Sequence, residues 1–304
     1  MNNRVTRALL LPEGAWQHRT VNASGVNFHA ALAGDEEAPL VILVHGFPRT
    51  WLSWRHTIPH LAEAGWRVCA LDLRGFGTSD MQPHGQDPMR MSADIAAVAH
   101  SLGRSSAHIV GAGLGGTLGW ILAATMPEVV TSLVTLGSPH PLSQHGRLPL
   151  PLSASGRAVA RVRLPWANVA QLRSGRLVTR LNDAWGAAAN RERLRGDEEA
   201  YRAAFSRPFA AKPALEATIR ANALTLHTRR RIDCVIDTAV TSISGEVDPL
   251  RPPQQFLRDQ QWVRSPMTTH VVAGAGHFLV DEHPDEVTRL IAAHLERHLD
   301  AHRP

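Results

Sequence analysis

Two residues with chemistry to offer lie toward the C-terminal end: Asp248 in Gly245-Glu246-Val247-Asp248-Pro249, and His277 in Gly274-Ala275-Gly276-His277-Phe278. A carboxylate bonded to one imidazole nitrogen fixes the tautomer and leaves the other nitrogen free to act as a general base. In nucleophilic catalysis such a pair serves a third residue, an activated Ser, Cys or Asp on a tight strand-to-helix turn. The stretch His108-Ile109-Val110-Gly111-Ala112-Gly113-Leu114-Gly115-Gly116 has that turn's pattern, G-x-Nuc-x-G-G, after an apolar run. At its centre stands Gly113, which has no side chain to attack with. A covalent ester or alkyl intermediate cannot form there.

The same glycines fit a second template. Gly111, Gly113 and Gly116 satisfy G-x-G-x-x-G, a phosphate-binding fingerprint when it follows a strand and opens a helix. That fingerprint also requires an acid about 20 positions on, at the end of the next strand, to hold a ribose. Here the next apolar run, Val129 to Leu136, ends in Gly137-Ser138-Pro139-His140 without a carboxylate. A dinucleotide is therefore not expected, nor is any other cofactor.

The elements that must position these residues alternate. Val41-Ile42-Leu43-Val44 and Val68-Cys69-Ala70-Leu71 read as strands buried on both faces, with a helical stretch from Trp54 to Ala64 between them. A helix from Met91 to Leu102, a strand from Ala107 to Val110 and a helix from Leu114 to about Thr125 follow. This alternation predicts a doubly wound, mostly parallel α/β sheet. From about 140 to 230 strands vanish and helical segments such as Asn168 to Trp185 and Glu198 to Phe205 take over. The sheet then resumes with Ala239 to Ile243 and His270 to Ala273, and ends in a helix from Pro284 to about Leu299. The expected organisation is a core of residues 1–140 and 230–304 with a helical lid, 141–229, inserted over it.

Five motifs in order carry a family resemblance. They are His45-Gly46-Phe47-Pro48 followed by Trp51 and Trp54; Asp72-Leu73-Arg74-Gly75-Phe76-Gly77-Thr78-Ser79-Asp80; Ser138-Pro139-His140-Pro141; and the two segments around Asp248 and His277. Together they resemble the α/β-hydrolase fold superfamily, and within it the epoxide hydrolases and haloalkane dehalogenases. The resemblance implies an oxyanion hole built from the backbone amides of Phe47 and Leu114, His277 as general base and Asp248 as its partner. It also exposes a second departure. Epoxide hydrolases use lid tyrosines to protonate the opening epoxide, but this chain has the single tyrosine Tyr201, and Ala217-Thr218-Ile219-Arg220 stands where a lid tyrosine would be sought. Trp51, Trp54, Ser138 and Tyr201 are the candidates to touch substrate; Thr117 is expected to bond the backbone.

Composition bounds the rest. With 304 residues, 44% hydrophobic and 19% charged, the chain can bury a full core. Its net charge of +5 is carried almost wholly by arginine, Lys212 being the sole lysine. These arginines alternate with acids, so no nucleic-acid partner is expected, and Arg229-Arg230-Arg231 reads as a solvated helix end. Cys69 and Cys234 form no C-x-x-C, which argues against a disulfide framework or zinc site. The apolar run Ala8-Leu9-Leu10-Leu11 is too short for a signal peptide's core and no segment approaches a membrane span, so the cytoplasm is the expected compartment and no membrane partner is expected.

Three functions fit these residues. In the first, His277 and Asp248 abstract a proton from a small apolar organic substrate while the oxyanion hole holds an enolate. Addition, elimination, or ring or C–C bond formation would follow without hydrolysis, as in cofactor-free members of the superfamily that act in bacterial secondary metabolism. In the second, His277 activates water directly for epoxide- or ester-type hydrolysis. The third is a small-molecule binding protein that has lost catalysis. The first is preferred because both members of the dyad persist beside the missing nucleophile.

Overall fold

The computed structural model describes residues 3–82, 84–143 and 165–299. Eight strands form one sheet in the order β1-β2-β4-β3-β5-β6-β7-β8. They are β1 (Gln17–Ala23), β2 (Val26–Ala33), β3 (Leu40–Val44), β4 (Arg67–Leu71), β5 (Ala107–Ala112), β6 (Val130–Leu136), β7 (Ala239–Gly245) and β8 (Thr268–Val272). From β4 onward across the sheet every pairing is parallel, whereas β1 and β2 pair antiparallel at the edge, β2 also with β4. The expected doubly wound α/β sheet is thus present, with an antiparallel edge.

The central strands are legible because helices cover both faces. All five residues of β3 and all seven of β6 are buried, which gives continuous apolar runs rather than alternation. Strand β1 could not be found that way. Its sequence QHRTVNA is largely exposed except at Val21 and Ala23, as an edge strand's is, and its polar composition hides it.

Between β6 and β7 the described residues are helical: Pro165–Arg173, Arg176–Trp185, Arg191–Gly196, Glu198–Ser206, Ala211–Asn222 and Leu226–Ile232. The expected single helix from Asn168 to Trp185 is in fact two. They are split at Ser174-Gly175, where Gly175 adopts φ +80° in the left-handed region that glycine enters without steric cost. The N-terminal helix Asn3–Leu10 packs against these helices through Leu10, which meets Ala203 and Ala204. Arg229–Arg231 lie in the last turn of Leu226–Ile232, Arg230 and Arg231 exposed. Cys69 is buried in β4 and its thiol is pushed up to about 12 by burial, while Cys234 is exposed. Among the described residues no helix is long and apolar enough to cross a membrane, and no group of His, Cys, Asp and Glu could hold a metal ion.

The D-L-R-G-F-G-T-S-D motif is structural. The buried Asp72 carboxylate accepts from Trp51 N (2.9 Å), Thr78 N (3.0 Å) and His29 Nδ1 (2.8 Å), and Arg74 makes two hydrogen bonds to the carboxylate of Asp94. These bonds pin the loop after β4 to the one after β3 and so fix the His45–Pro48 turn.

Candidate active site

Open parallel sheets gather their sites at the carboxyl ends of the strands, and the candidate residues follow that rule. His45 to Phe47 come after β3, Gly113 after β5, Ser138 after β6, Asp248 after β7 and His277 after β8. A cavity of about 80 Å³ lies among them, and Phe47, Gly113, Leu114, Ser138 and His277 are on its wall. Trp185, Thr218, Ala221 and Asn222 of the inserted helices close the opposite side.

The dyad is formed. His277 Nδ1 lies 2.8 Å from Asp248 Oδ2, and the carboxylate is fully buried. The other oxygen of Asp248 accepts from the amides of Leu250 (2.8 Å) and Arg251 (3.0 Å), a turn that holds the side chain in one orientation. Nδ1 is therefore the protonated nitrogen, and Nε2 is left as the acceptor.

A buried carboxylate that the sequence did not single out fixes the histidine loop. Glu282 accepts from Gly276 N and Phe278 N, the residues either side of His277, and from Ala187 N on the inserted helices, each at 2.9 Å. The amide of His277 itself donates to Trp185 O at 2.9 Å. The histidine is thus positioned jointly by the sheet end and the segment around Trp185–Ala187.

Gly113 makes the tight turn from β5 into the helix Leu114–Thr125. Its φ of +51° and ψ of −110° form a strained corner, and glycine occupies it at least cost. Its neighbours are small for a different reason. A Cβ at Gly111 would lie 2.4 Å from Gly115 C, one at Gly115 2.2 Å from Val44 O, and one at Gly116 2.6 Å from Ser138 Cβ. At Gly113, by contrast, a Cβ would meet only Gly46 Cα and His277 Nε2, both at an ordinary 3.7 Å. The space for a side chain is open, and the free imidazole nitrogen borders it. We call it the notch.

This architecture decides the family. A profile described as alpha/beta hydrolase fold matches residues 39–284. Epoxide hydrolase 3 of Xenopus tropicalis is 31% identical over 290 residues, covering 92% of this chain and 77% of that protein. The chain belongs to the α/β-hydrolase fold family. Within that family it is also similar to epoxide hydrolase 4 of Homo sapiens, at 28% identity over 89% of this chain and 76% of the relative. Among solved structures, epoxide hydrolase A from Mycobacterium thermoresistibile shares the fold with a TM-score of 0.75 at 24% identity, covering 92% of this chain and 98% of that one. Cfl2 from Burkholderia cenocepacia does so with a TM-score of 0.80 at 23% identity, covering 92% and 95%. The chain is thus an α/β-hydrolase-fold protein similar to epoxide hydrolases, with Gly113 at the turn between β5 and the helix Leu114–Thr125.

Several residues expected to touch substrate are placed elsewhere. Trp51 is core: it packs edge-on against Trp16, His18 and His29, and its Nε1 donates to Leu10 O. Trp54 is fully buried away from the cavity wall. Both belong to the turn Trp51–His56 after β3, where apolar bulk fills the space above the sheet. Tyr201 lies behind the wall, its hydroxyl 3.0 Å from Ser53 Oγ and 3.4 Å from Asp281 Oδ1. Burial, reinforced by Asp281, pushes its pKa well above the usual tyrosine value. Ser138 does face the cavity, with its Oγ 3.3 Å from Thr117 Oγ1; Thr117 is also on the wall.

Two further wall residues escaped the sequence reading. Arg49, beside the cis Phe47–Pro48 peptide, is buried, with its Nε 2.6 Å from Asp281 Oδ2 and its Nη2 2.8 Å from Asn182 Oδ1. Its guanidinium carbon sits 3.8 Å from the Phe278 ring centre. Burial pulls its pKa down, but the Asp281 carboxylate and the other nearby negative charge more than offset this, so it lies above the ordinary arginine value. Trp185 is also buried and stands edge-on to His277, with ring centres 5.8 Å apart. The signal for Arg49 was its charge in the apolar H-G-F-P-R-T-W turn; nothing local marks Trp185.

Proposed function

We propose that this protein is a non-hydrolytic enzyme in which His277 is a general base, Asp248 its orienter, and the amides of Phe47 and Leu114 an oxyanion hole. The observation that carries this reading is the 3.7 Å separation between His277 Nε2 and the Cβ position left empty at Gly113. A base aimed at open space beside an oxyanion hole suits a substrate carbon rather than a protein nucleophile. A carbonyl oxygen held by the two amides places its α-carbon over the notch. Nε2 then takes the α-proton, Asp248 stabilises the imidazolium, and the amides hold the enolate oxygen. A positioned base contributes about 10²–10⁴ and each hole donor about 10²–10³, enough for such a step without covalent catalysis. The enolate then adds, eliminates or closes a ring, according to the electrophile the substrate carries. The helices between β6 and β7, which contribute Trp185, Thr218, Ala221 and Asn222 to the cavity wall, act as a lid that selects the substrate.

The test is solvent exchange. Small ketones and esters incubated with the protein in D₂O should lose their α-proton signal in NMR, and His277→Ala should abolish the gain. Exchange that is equal in the two proteins would sink the reading. A second reading draws on the same notch, which has room for a water molecule against Nε2; His277 would then drive epoxide opening without an ester intermediate. That path puts ¹⁸O from labelled water into a diol, leaves α-protons in place, and gives no protein adduct.

A further inference from the structure

The inserted helices leave the sheet after β6 and return to it before β7, and the two ends meet in one buried knot. On the way out, His140 Nδ1 accepts from Leu142 N at 3.3 Å and His140 O accepts from Ser143 N at 2.9 Å. On the way back, the backbone of Ile232 bonds the His140 ring, and Asp233 Oδ1 accepts from Trp262 Nε1 at 3.1 Å. The Trp262 ring stacks on His140 with centres 4.0 Å apart, and Trp120 stands edge-on to the same imidazole at 5.0 Å. Trp262 ends the 3₁₀ helix Pro253–Trp262, which also carries the fully buried Asp259.

Counting hydrogens fixes the state of that acid. Ser143 Oγ lies 2.7 Å from Asp259 Oδ1 and 2.9 Å from His140 O. A hydroxyl has one hydrogen to give, and a carbonyl oxygen has none. Both contacts are hydrogen bonds only if Asp259 carries a proton and donates it to Ser143 Oγ, which donates in turn to His140 O. The other oxygen, Oδ2, is buried and meets no partner, which a neutral acid tolerates far better than a carboxylate. Burial pushes Asp259 up to about 7, although the Ser143 hydroxyl and the His140 amide favour its charged form. The neighbouring imidazole is the converse case. Its Nδ1 accepts from Leu142 N and so holds no proton, and burial pushes it down to about 3. No cation pairs with Asp259 among the described residues; Asp233 and Arg258, on the segments packed around the knot, are exposed.

We infer that this knot is a proton latch at the root of the inserted helices, closed with Asp259 protonated and His140 neutral, and that opening it charges both. The acid then releases a proton to water and the imidazole takes one up. Between about pH 4, where an exposed aspartate ionises, and about 6.5, where an exposed histidine does, the release and the uptake cancel. The root is therefore held equally firmly across that range, although either group alone would make it pH-sensitive. The cavity shares in this, because Trp120, edge-on to His140, also donates to the carbonyl of Ser138 on the cavity wall. The latch does not depend on the reaction proposed for that cavity.

Amide exchange in the whole protein reads the latch. Protection of the Leu142, Ser143 and Ile236 amides, followed by NMR against the amides of β5, should stay constant within about twofold between roughly pH 5 and 6. Asp259→Asn gives Ser143 Oγ a permanent N–H and removes only the acid's titration. Root protection should then fall by about tenfold per unit as pH falls, because proton uptake by His140 is unopposed. His140→Phe keeps a ring against Trp262 and should reverse the sign, with protection falling by about tenfold per unit as pH rises. Protection that is flat in both variants, or that changes tenfold per unit in the unaltered protein, would overturn the latch. If a variant does not fold, the unaltered protein still decides. The Asp259 carboxyl ¹³C shift should hold its protonated position until pH approaches about 7, and an Asp259 that titrates near the ordinary ~3.9 would sink the proposal.

Discussion

Gly113→Ala separates backbone from cavity. The added Cβ meets nothing closer than 3.7 Å, so no clash contributes and the cost is conformational. A non-glycine residue at φ +51°, ψ −110° carries roughly 1–3 kcal/mol of strain, partly offset by the ~0.4–1 kcal/mol that alanine gains by restricting the unfolded chain. The net loss of about 1–2 kcal/mol corresponds to a Tm drop of about 2–3 °C for a chain of this length. Activity should suffer far more. The methyl group projects into the cavity and stands 3.7 Å from His277 Nε2. Displacing the reacting carbon by even 1 Å costs about 10²-fold. The contrast is Gly115→Ala, whose Cβ would lie 2.2 Å from Val44 O; helix and strand must separate, and the loss should reach or exceed the upper end of the ~1–3 kcal/mol typical of overpacking. Calorimetry reads the stabilities and deuterium exchange the activity. A fully active Gly113→Ala would refute the placement of the reacting carbon in the notch. An unfolded one would refute the claim that the space there is open.

Asp248→Asn keeps an oxygen for the amides of Leu250 and Arg251 but offers His277 Nδ1 an N–H, so exchange should fall by about 10²–10⁴ with little change in Tm; equal rates would show that the dyad is idle. Arg49→Met strands the buried Asp281, and the ~3–5 kcal/mol loss expected for a broken buried pair lowers Tm by about 5–8 °C, most of it restored by adding Asp281→Leu. Acid stability has two opposed sources. Burial lowers His140 to about 3 and His294 to about 2, and it lowers His18, His45, His56, His270 and His298 as well, so below pH ~6.5 the unfolded chain takes up protons that the folded one refuses, and stability falls with pH. Asp259, pushed up to about 7 by burial, holds a proton that the unfolded chain has lost between about pH 4 and 7, and so opposes one of them. Denaturant titrations from pH 5 to 6.5 should therefore show stability falling with pH, with a slope steeper by about 1 kcal/mol per unit in Asp259→Asn; an unchanged slope would mean that Asp259 is ionised in the native state.

What could be read from the sequence divides by physical cause. Strands covered on both faces announce themselves as apolar runs, which is why β3, β4, β5 and β6 were visible and β1, exposed at the sheet edge, was not. The turns bearing Phe47, Gly113, Asp248 and His277 were legible because each residue sits in a loop whose neighbours are fixed by backbone geometry and leave a local signature. Trp51, Trp54 and Tyr201 were assigned to the substrate because aromatic residues near a site look alike in sequence whether they face a cavity or fill a core. Only three-dimensional packing separates Trp54, buried under the turn, from Trp185, which comes from a distant helix to stand beside His277. Glu282 was hidden for the same reason: its three amide partners come from two segments about 90 residues apart.

The notch is specific to one side chain. If the whole turn had relaxed around a lost nucleophile, its other glycines would have room, and the strand-to-helix corner would have closed on itself. Instead Gly111, Gly115 and Gly116 are each within 2.6 Å of blocking a Cβ, while Gly113 alone among them faces open space. The packing of the Leu114–Thr125 helix against β5 and β6, with Gly115 tight against Val44, therefore holds the corner rigid whatever residue occupies its tip. A rigid corner cannot collapse to fill the missing volume, since the interior transmits strain rather than flowing. Glycine at the tip thus leaves an open space of fixed shape beside an imidazole of fixed tautomer. Both are properties of the surrounding framework, and the function proposed above uses them by seating a small molecule between Gly113 and His277.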